Sequence, residues 1–451
     1  MMPEKAITFG MLLAGICSVQ ATLAKLSLDD TRPIGILIED PVRHIILSLA
    51  LMKSGFCTVA LRPDCLNTAS HLGLSEIISA TPVKLPGVEV FLMTDAWFQV
   101  GQSVYDISAK IVDSDRITRV EFTSGSTGTP KPIGVTVNNL YNQTANRIVA
   151  YSLISQNLMS MFKLTSNIGF GLALAQLSLG RTISFSDAND SAIDMINYHS
   201  IGTLAGSPDQ IRRLCSRLEA TGKGFGSLVK TILAGSIVTG SEIFELQLIL
   251  GSLIQIDYGS TETGPVATYL SSNFKTNHAQ DLHFFAHQDV DFIPDSQETD
   301  VMHKEIRLRS TGMGWPFSGR VIQTEKDSAD GWFYPRDLAE RMPDGSFSLV
   351  GRNDFLLNIG GVKFSPERLE ADLLKRFGLE EVAVVLGGDG GDAMTVLNIA
   401  HSTTRGVTLP ELKAWALAVH PSIRIGAIRA FPELPRMTSN KLDRQKLQSL
   451  F

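Results

Sequence analysis

Strand-like and helix-like stretches alternate through the first half of the chain, and this alternation limits the fold more than any other feature. Residues 34–40 (IGILIED) form a short apolar run of strand length, residues 42–55 (VRHIILSLALMKSG) carry helical periodicity up to Gly55, and residues 57–61 (CTVAL) form a second strand that Pro63 ends. A strand, helix, strand order requires a crossover, so the strands should lie parallel with helices covering the sheet. The pattern continues through residues 182–185 (TISF), 209–220 (DQIRRLCSRLEA), 228–235 (LVKTILAG), 241–250 (SEIFELQLIL) and 253–259 (LIQIDYG). The predicted fold class is α/β.

Composition shifts at residues 271–280 (SSNFKTNHAQ), after which residues 304–310, 315–325 and 345–352 read as short strands joined by turns. They predict a small β subdomain over about residues 271–350. From Asp354 the chain alternates again: 364–377 helix, 381–387 and 393–400 strands, 409–419 helix. The expected organisation is therefore a large domain over residues 1–353 and a small, mobile α+β domain over residues 354–451.

Of the 451 residues, 44% are hydrophobic and 19% charged, which suits several globular cores. The net charge of −6 argues against nucleic-acid binding. Four cysteines (Cys17, Cys57, Cys65, Cys215) without metal-ligand spacing fit a reducing, cytoplasmic setting. Residues 6–24 could pass for the apolar core of a secretory leader. However, Leu12, Ile16, Val19, Leu23 and Leu26 recur at helical spacing, as in an amphipathic helix packed on a core. No membrane association is expected.

Residues 121–136 (EFTSGSTGTPKPIGVT) place three glycines, six hydroxyl residues and Lys131 directly after an apolar strand. Backbone N–H groups freed by glycine, together with hydroxyls and an ammonium, suit a phosphate cradle. The Walker A register fails, since Pro130 lies five residues after Gly125 and Pro132 follows Lys131. A G-x-G-x-x-G turn is also missing.

Four further motifs follow in order: residues 257–264 (DYGSTETG), 331–338 (GWFYPRDL), 351–370 (GRNDFLLNIGGVKFSPERLE) and 434–447 (LPRMTSNKLDRQKL). With the loop, they make the chain resemble the adenylate-forming superfamily of acyl-CoA synthetases, peptide-synthetase adenylation domains and luciferases, over nearly its whole length. The resemblance implies ATP-dependent conversion of a carboxylic acid to acyl-adenylate and pyrophosphate, followed by thioester formation with coenzyme A. The same resemblance admits two alternatives. One is transfer to the phosphopantetheine of an acyl carrier protein, and the other is a non-catalytic nucleotide-binding homologue.

By resemblance, Thr123, Ser124, Gly125, Ser126, Thr127, Gly128 and Lys131 handle the β- and γ-phosphates of ATP. Tyr258, Gly259 and Thr261 flank the nucleotide, with Thr261 on the α-phosphate, and Glu262 holds Mg2+. Asp337 takes the ribose hydroxyls with help from Arg352, and Lys441 reaches the forming acyl-phosphate bridge. Asp354 is the hinge, while Gly360 and Gly361 pass close to a pantetheine thiol. Ile168, Gly169, Phe170, Gly235 and Ser236 line the acid pocket. Amino-acid-activating members carry an aspartate in the first pocket segment; none lies between Lys163 and Gly180, which favours an aryl or acyl acid without a free α-amino group. Three departures stand out: Pro132 after the loop, Pro335-Arg336 where Thr-Gly is usual, and Asn440 for glycine before Lys441.

Overall fold

The computed structural model describes residues 6–451 except 64–65, 67–71, 99–112, 124–130, 151–156, 237, 239, 272–281, 294–303, 318–329, 354–356, 360–361, 365, 378, 380, 388–395, 402–407, 420–423 and 437–441. It divides into two compact units. The first comprises Met1–Asn277, Ala286–Asp289 and Leu308–Phe333; the second comprises His278–Phe285, Val290–Arg307 and Tyr334–Phe451.

In the first unit, β1 (Ile34–Leu37), β2 (Thr58–Ala60), β3 (Glu76–Ser79), β4 (Glu89–Leu92) and β5 (Ile117–Phe122) run parallel. β6 (Pro132–Thr136) turns back antiparallel on β5. A second sheet has β7 (Asn157–Ser160), β8 (Thr182–Phe185), β9 (Thr203–Gly206), β10 (Lys230–Ala234) and β11 (Leu253–Ser260) parallel, and β12 (Gly264–Leu270) antiparallel to β11. The α/β alternation predicts this arrangement, because a parallel strand can be reached only by a crossover.

Burial explains the strand composition. Every residue of β1, β2, β3, β9 and β10 is buried, as expected where helices cover both faces of a parallel sheet. The helix Phe9–Leu23 buries Leu12, Ile16, Val19 and Leu23, which are four of the five positions picked out by periodicity. It shares one core with the helix Pro41–Lys53, with β1, and with Phe170 and Ala173 of the helix Asn167–Ser178. Local chemistry fixes the helix ends. Asp40 caps one helix through Arg43 N–H with Pro41 in its first turn, and Ser207 and Gln210 form a reciprocal capping box at another.

In the second unit, β13 (His283–Ala286), β14 (Asp289–Phe292), β15 (Lys304–Arg309), β17 (Asp337–Arg341) and β18 (Phe347–Arg352) build an antiparallel sheet in the order β14, β15, β17, β18, β13. β16 (Trp315–Pro316) instead pairs with β6 in the first unit. Further along come a hairpin of β19 (Leu357–Ile359) and β20 (Val362–Phe364), the helix Pro366–Phe377, a three-stranded sheet of β21 (Val382–Leu386), β22 (Val396–His401) and β23 (Arg424–Ala430), and the helices Leu409–Val419 and Arg444–Ser449. Its core contains Leu369, Leu373, Val384, Leu397, Ile399 and Leu412. Among the described residues, no helix is long and apolar enough to cross a membrane.

Candidate active site

The carboxyl end of β5 leads into the glycine-rich loop. Thr123 N–H donates to the Lys131 carbonyl at 3.0 Å, and Lys131 N–H returns to Thr123 Oγ1 at 3.2 Å. These two bonds close the base of the loop, leaving Lys131 exposed. Ser124, Gly125, Ser126, Thr127 and Gly128 lie outside the described residues. Pro132 is the first residue of β6, where a missing N–H is tolerated, and its carbonyl still accepts from Phe317 N–H at 2.9 Å.

Three other stretches reach the carboxyl end of the second sheet, where ligands of open α/β sheets bind. β11 outruns β10, since Ala234, the last residue of β10, pairs with Asp257, so that Tyr258, Gly259 and Ser260 continue past it. Gly235 follows β10 with φ of +97°, a conformation that favours glycine, and Ser236 beside it is exposed. At Gly259, where the pairing shifts register, a Cβ would come within 2.1 Å of the Gly264 carbonyl, so no larger residue fits.

Thr261 and Glu262 occupy the tip between β11 and β12. The turn is held from beneath: Ser260 N–H donates to Thr263 Oγ1 at 3.3 Å, and Thr263 N–H donates to Ser260 Oγ at 3.2 Å. Gly314 N–H fixes the carbonyl of Glu262 at 2.7 Å. The Ser-Thr-Glu sequence is thus a turn between antiparallel strands, with the Glu262 main chain tied down. Under Tyr258, buried Lys230 donates to Gln255 Oε1 at 3.0 Å, and Gln255 Nε2 donates to Asp257 Oδ1 at 2.8 Å. Burial holds the Lys230 ammonium below the ordinary lysine range, with Asp257 acting in opposition.

The third stretch starts the helix Asn167–Ser178. Ser166 caps it, accepting from Gly169 N–H at 3.1 Å and donating to the Lys163 carbonyl at 2.8 Å. Ile168 is half-buried against Leu158, Leu172, Ala205 and Ile232. Gly169 and Phe170 are buried, and the Arg119 guanidinium lies 3.8 Å over the Phe170 ring.

A buried polar network beneath these segments was not anticipated from sequence. Arg119 Nε donates to Glu121 Oε1 at 3.0 Å and Arg119 Nη2 to the Leu164 carbonyl at 2.9 Å. Desolvation pulls the Arg119 pKa below the ordinary guanidinium value, and Glu121 opposes the shift. Asn167 Nδ2 donates to Glu121 Oε2 and, at 3.1 Å, to Gln143 Oε1, while Asn167 Oδ1 accepts from Arg147. Two patterns in the sequence point to it. Arg119 and Glu121 lie two apart on one face of the buried strand Ile117–Phe122, and Asn139, Gln143 and Arg147 recur every fourth residue on the helix Val137–Ala150.

In the second unit, Asp337 and Arg352 face each other in the register of β17 and β18. Arg336 takes φ of +66°, one of two positive-φ non-glycine residues described. Its exposed guanidinium reaches Glu305 Oε1 at 3.4 Å, and its carbonyl accepts from Asn353 N–H at 2.6 Å. Asp354, Gly360, Gly361 and Lys441 lie outside the described residues. The segment after Lys441 is anchored by Arg444, which forks onto the Glu370 carboxylate at 2.5 and 2.8 Å.

A family model described as AMP-binding enzyme matches residues 2–284. The chain is 23% identical over 469 aligned residues to 2-succinylbenzoate–CoA ligase of Bacillus pumilus (strain SAFR-032), covering 99% of this chain and 93% of that protein. It is 22% identical over 397 residues to bacitracin synthase 3 of Bacillus licheniformis, covering 80% of this chain but 6% of that protein. Among solved structures, o-succinylbenzoate CoA synthetase (MenE) from Bacillus subtilis, in complex with the acyl-adenylate intermediate OSB-AMP, has a TM-score of 0.83 at 19% identity. That match covers 99% of this chain and 94% of that one.

Proposed function

This chain belongs to the AMP-binding enzyme family, and on that premise we propose that it activates a carboxylic acid with ATP, forming acyl-adenylate and pyrophosphate, and then transfers the acyl group to coenzyme A. The observation that carries this reading lies within the first unit. The loop closed by Thr123 and Lys131 leaves the carboxyl end of one parallel sheet, while the Glu262 turn, Gly235-Ser236 and the start of the helix Asn167–Ser178 gather at the carboxyl end of the other.

A carboxylate is a poor acyl donor because oxide leaves badly, and attack on the α-phosphorus makes AMP the leaving group. Charge grows on the phosphoryl oxygens and on pyrophosphate, so positioned donors and cations lower the barrier. Lys131 and the hydroxyls and N–H groups of the loop serve the outer phosphates in this reading, Thr261 the α-phosphate, and Asp337 with Arg352 the ribose. Among the described residues no three His, Cys, Asp or Glu side chains cluster as a self-sufficient metal site. A carboxylate at Glu262 suits Mg2+, which takes one or two carboxylates alongside substrate phosphates and water. Held by Glu262, Mg2+ would supply positive charge to offset that of the phosphates.

The apolar start of the helix Asn167–Ser178, with no aspartate between Lys163 and Gly180, favours an aryl or acyl acid over an α-amino acid. The aromatic acid named for the Bacillus pumilus relative agrees with that preference. Asp354 is the proposed hinge that exchanges Lys441 for Gly360-Gly361 at the acyl-adenylate. The deciding experiment is acid-dependent exchange of labelled pyrophosphate into ATP over a panel of aryl, acyl and amino acids, followed by thioester formation with coenzyme A or a holo carrier protein. Exchange with an aryl or acyl acid and thioester with coenzyme A are expected. Absence of exchange with every acid overturns the reading, and transfer to the carrier alone replaces the acceptor.

A further inference from the structure

Three segments of the site meet at one carboxamide. Asn167 opens the helix whose next residues are Ile168, Gly169 and Phe170. One of its two Nδ2 hydrogens goes to Glu121 Oε2, two residues before Thr123 on the strand that enters the phosphate loop. The other goes to Gln143 Oε1. Gln143 Nε2 in turn donates to the Gly312 carbonyl at 2.8 Å, and two residues on, Gly314 N–H holds the Glu262 carbonyl at 2.7 Å. Asn167 Oδ1 and its main-chain carbonyl both accept from Arg147 Nη2. Each polar atom of the side chain is thus committed, and its partners belong to two other elements, the strand Ile117–Phe122 and the helix Val137–Ala150.

Burial makes these bonds consequential. Arg119 is 0% exposed, Glu121 4%, and Gln143 and Arg147 1% each, so water does not replace a lost partner. Among the described residues, the network holds two guanidiniums against one carboxylate, and one nitrogen on each guanidinium, Nη1, finds no hydrogen-bond partner. A buried network so sparsely compensated has little freedom to rearrange around a missing donor. The guanidinium of Arg147 also fills the space that a Cβ on Gly171 would occupy, 2.3 Å from its central carbon, so the helix seats directly against it.

We propose that Asn167 is a positioning residue for adenylation, setting the acid-side helix in register with the strand of the phosphate loop and, through Gln143, with the Glu262 turn. This rests on the proposed function. Its action runs through the geometry of other groups, and displacements of about 1 Å between reacting groups cost on the order of 100-fold in rate.

The test compares Asn167→Leu, which has similar volume and no polar atoms, with Asn167→Asp, which keeps an acceptor for Arg147 but loses both donors to Glu121 and Gln143. Both should lower kcat of pyrophosphate exchange per folded molecule by about 10- to 100-fold, leaving KM for ATP within about threefold. Gln143→Leu acts on the same arm, so its combination with Asn167→Leu should lose less than the product of the two single losses. Folded Asn167 variants with wild-type kcat, or strictly multiplicative losses, overturn the proposal. If Asn167→Leu does not fold, Asn167→Ser removes the carboxamide without added bulk and is read against the same outcomes. Should the wild type exchange no pyrophosphate, the proposed function fails, and hydrogen exchange then reads the network itself. Asn167→Leu should deprotect residues 120–122, 168–172 and 312–314 together, whereas deprotection confined to 168–172 overturns the coupling.

Discussion

Asp337 and Arg352 stand directly opposite each other on adjacent antiparallel strands, with Arg352 Nε 3.9 Å from Asp337 Oδ1, and both are half-buried. At that separation and exposure the ion pair contributes less than about 1 kcal/mol to stability. Asp337→Asn should raise KM for ATP about tenfold or more, as expected for losing a charge-assisted hydrogen bond, and leave the melting midpoint nearly unchanged. Steady-state kinetics with ATP varied at saturating acid check it; an unaltered KM removes Asp337 from the ribose site.

Glu262→Gln should raise the Mg2+ concentration needed for half-maximal exchange and lower its maximum, because a neutral amide is a poor ligand for a hard cation. The turn is held by bonds of Ser260, Thr263 and Gly314 that the substitution leaves in place, so the variant should fold. Identical Mg2+ titrations of variant and wild type would contradict the assignment.

Lys441→Ala should reduce adenylation by about 100-fold or more, the scale for removing one oriented charge-stabilising group. Thioester formation from preformed acyl-adenylate should survive. Arg444 anchors the following segment to Glu370, and the substitution leaves that anchor in place. Parallel loss of both half-reactions argues against the role.

Arg336→Gly tests the cost of the departure beside Asp337. A left-handed conformation costs a non-glycine residue about 1–2 kcal/mol, whereas the exposed pair with Glu305 returns little. Glycine loses about 1 kcal/mol more backbone entropy on folding, so the net gain should be up to about 1 kcal/mol, seen as a higher melting midpoint. A lower midpoint shows that the arginine side chain stabilises more than its backbone costs.

Acid should destabilise the first unit through His44. Its ring is buried, its Nδ1 bonds the Ile38 carbonyl at 3.0 Å, and burial is the main cause that lowers its pKa to about 4. The unfolded chain binds this proton near pH 6.5 and the folded one only near 4, so stability is full at pH 7 and falls through that window. The loss is about 2 kcal/mol by pH 5. His44→Asn, which can keep the donor to Ile38, should flatten the fall of the melting midpoint between pH 7 and 5; an equally steep fall places the effect elsewhere.

Much of this was legible in the sequence because each element answers to a local rule. Apolar runs of strand length separated by helical periodicity became parallel sheets, and Leu12, Ile16, Val19 and Leu23 face the core as their spacing requires. The Ser-Thr-Glu segment was recognisable as a turn after an apolar strand, but its anchoring by Gly314 was not, since that bond joins residues far apart in sequence. For the same reason Asn167 escaped notice. Its partners at 121, 143 and 147 come from two other elements, and no local pattern in a helix start announces a hydrogen bond to a distant strand. Ile168, Gly169 and Phe170 were read from one motif as a single pocket wall, whereas packing gives them different surroundings: Ile168 half-buried, Phe170 enclosed under Arg119.

The helix Val137–Ala150 holds the stretch before Gly314 largely by its main chain. Asn139 reaches the Met313 carbonyl, Asn142 the Thr311 carbonyl and Gln143 the Gly312 carbonyl. A carbonyl is the same on every residue, so these three bonds do not read the side chains, although Asn146 Nδ2 also donates to Ser310 Oγ at 3.5 Å and Thr311 Oγ1 at 3.3 Å. Change of the side chain at 313 leaves that carbonyl bond in place, while much of the information that places the stretch is stored in Gln143, 169 residues upstream of Gly312, and in its neighbours. A comparison of residues 310–314 alone would therefore understate how firmly the Glu262 turn is fixed, because its heritable determinants lie in the carboxamides of another helix.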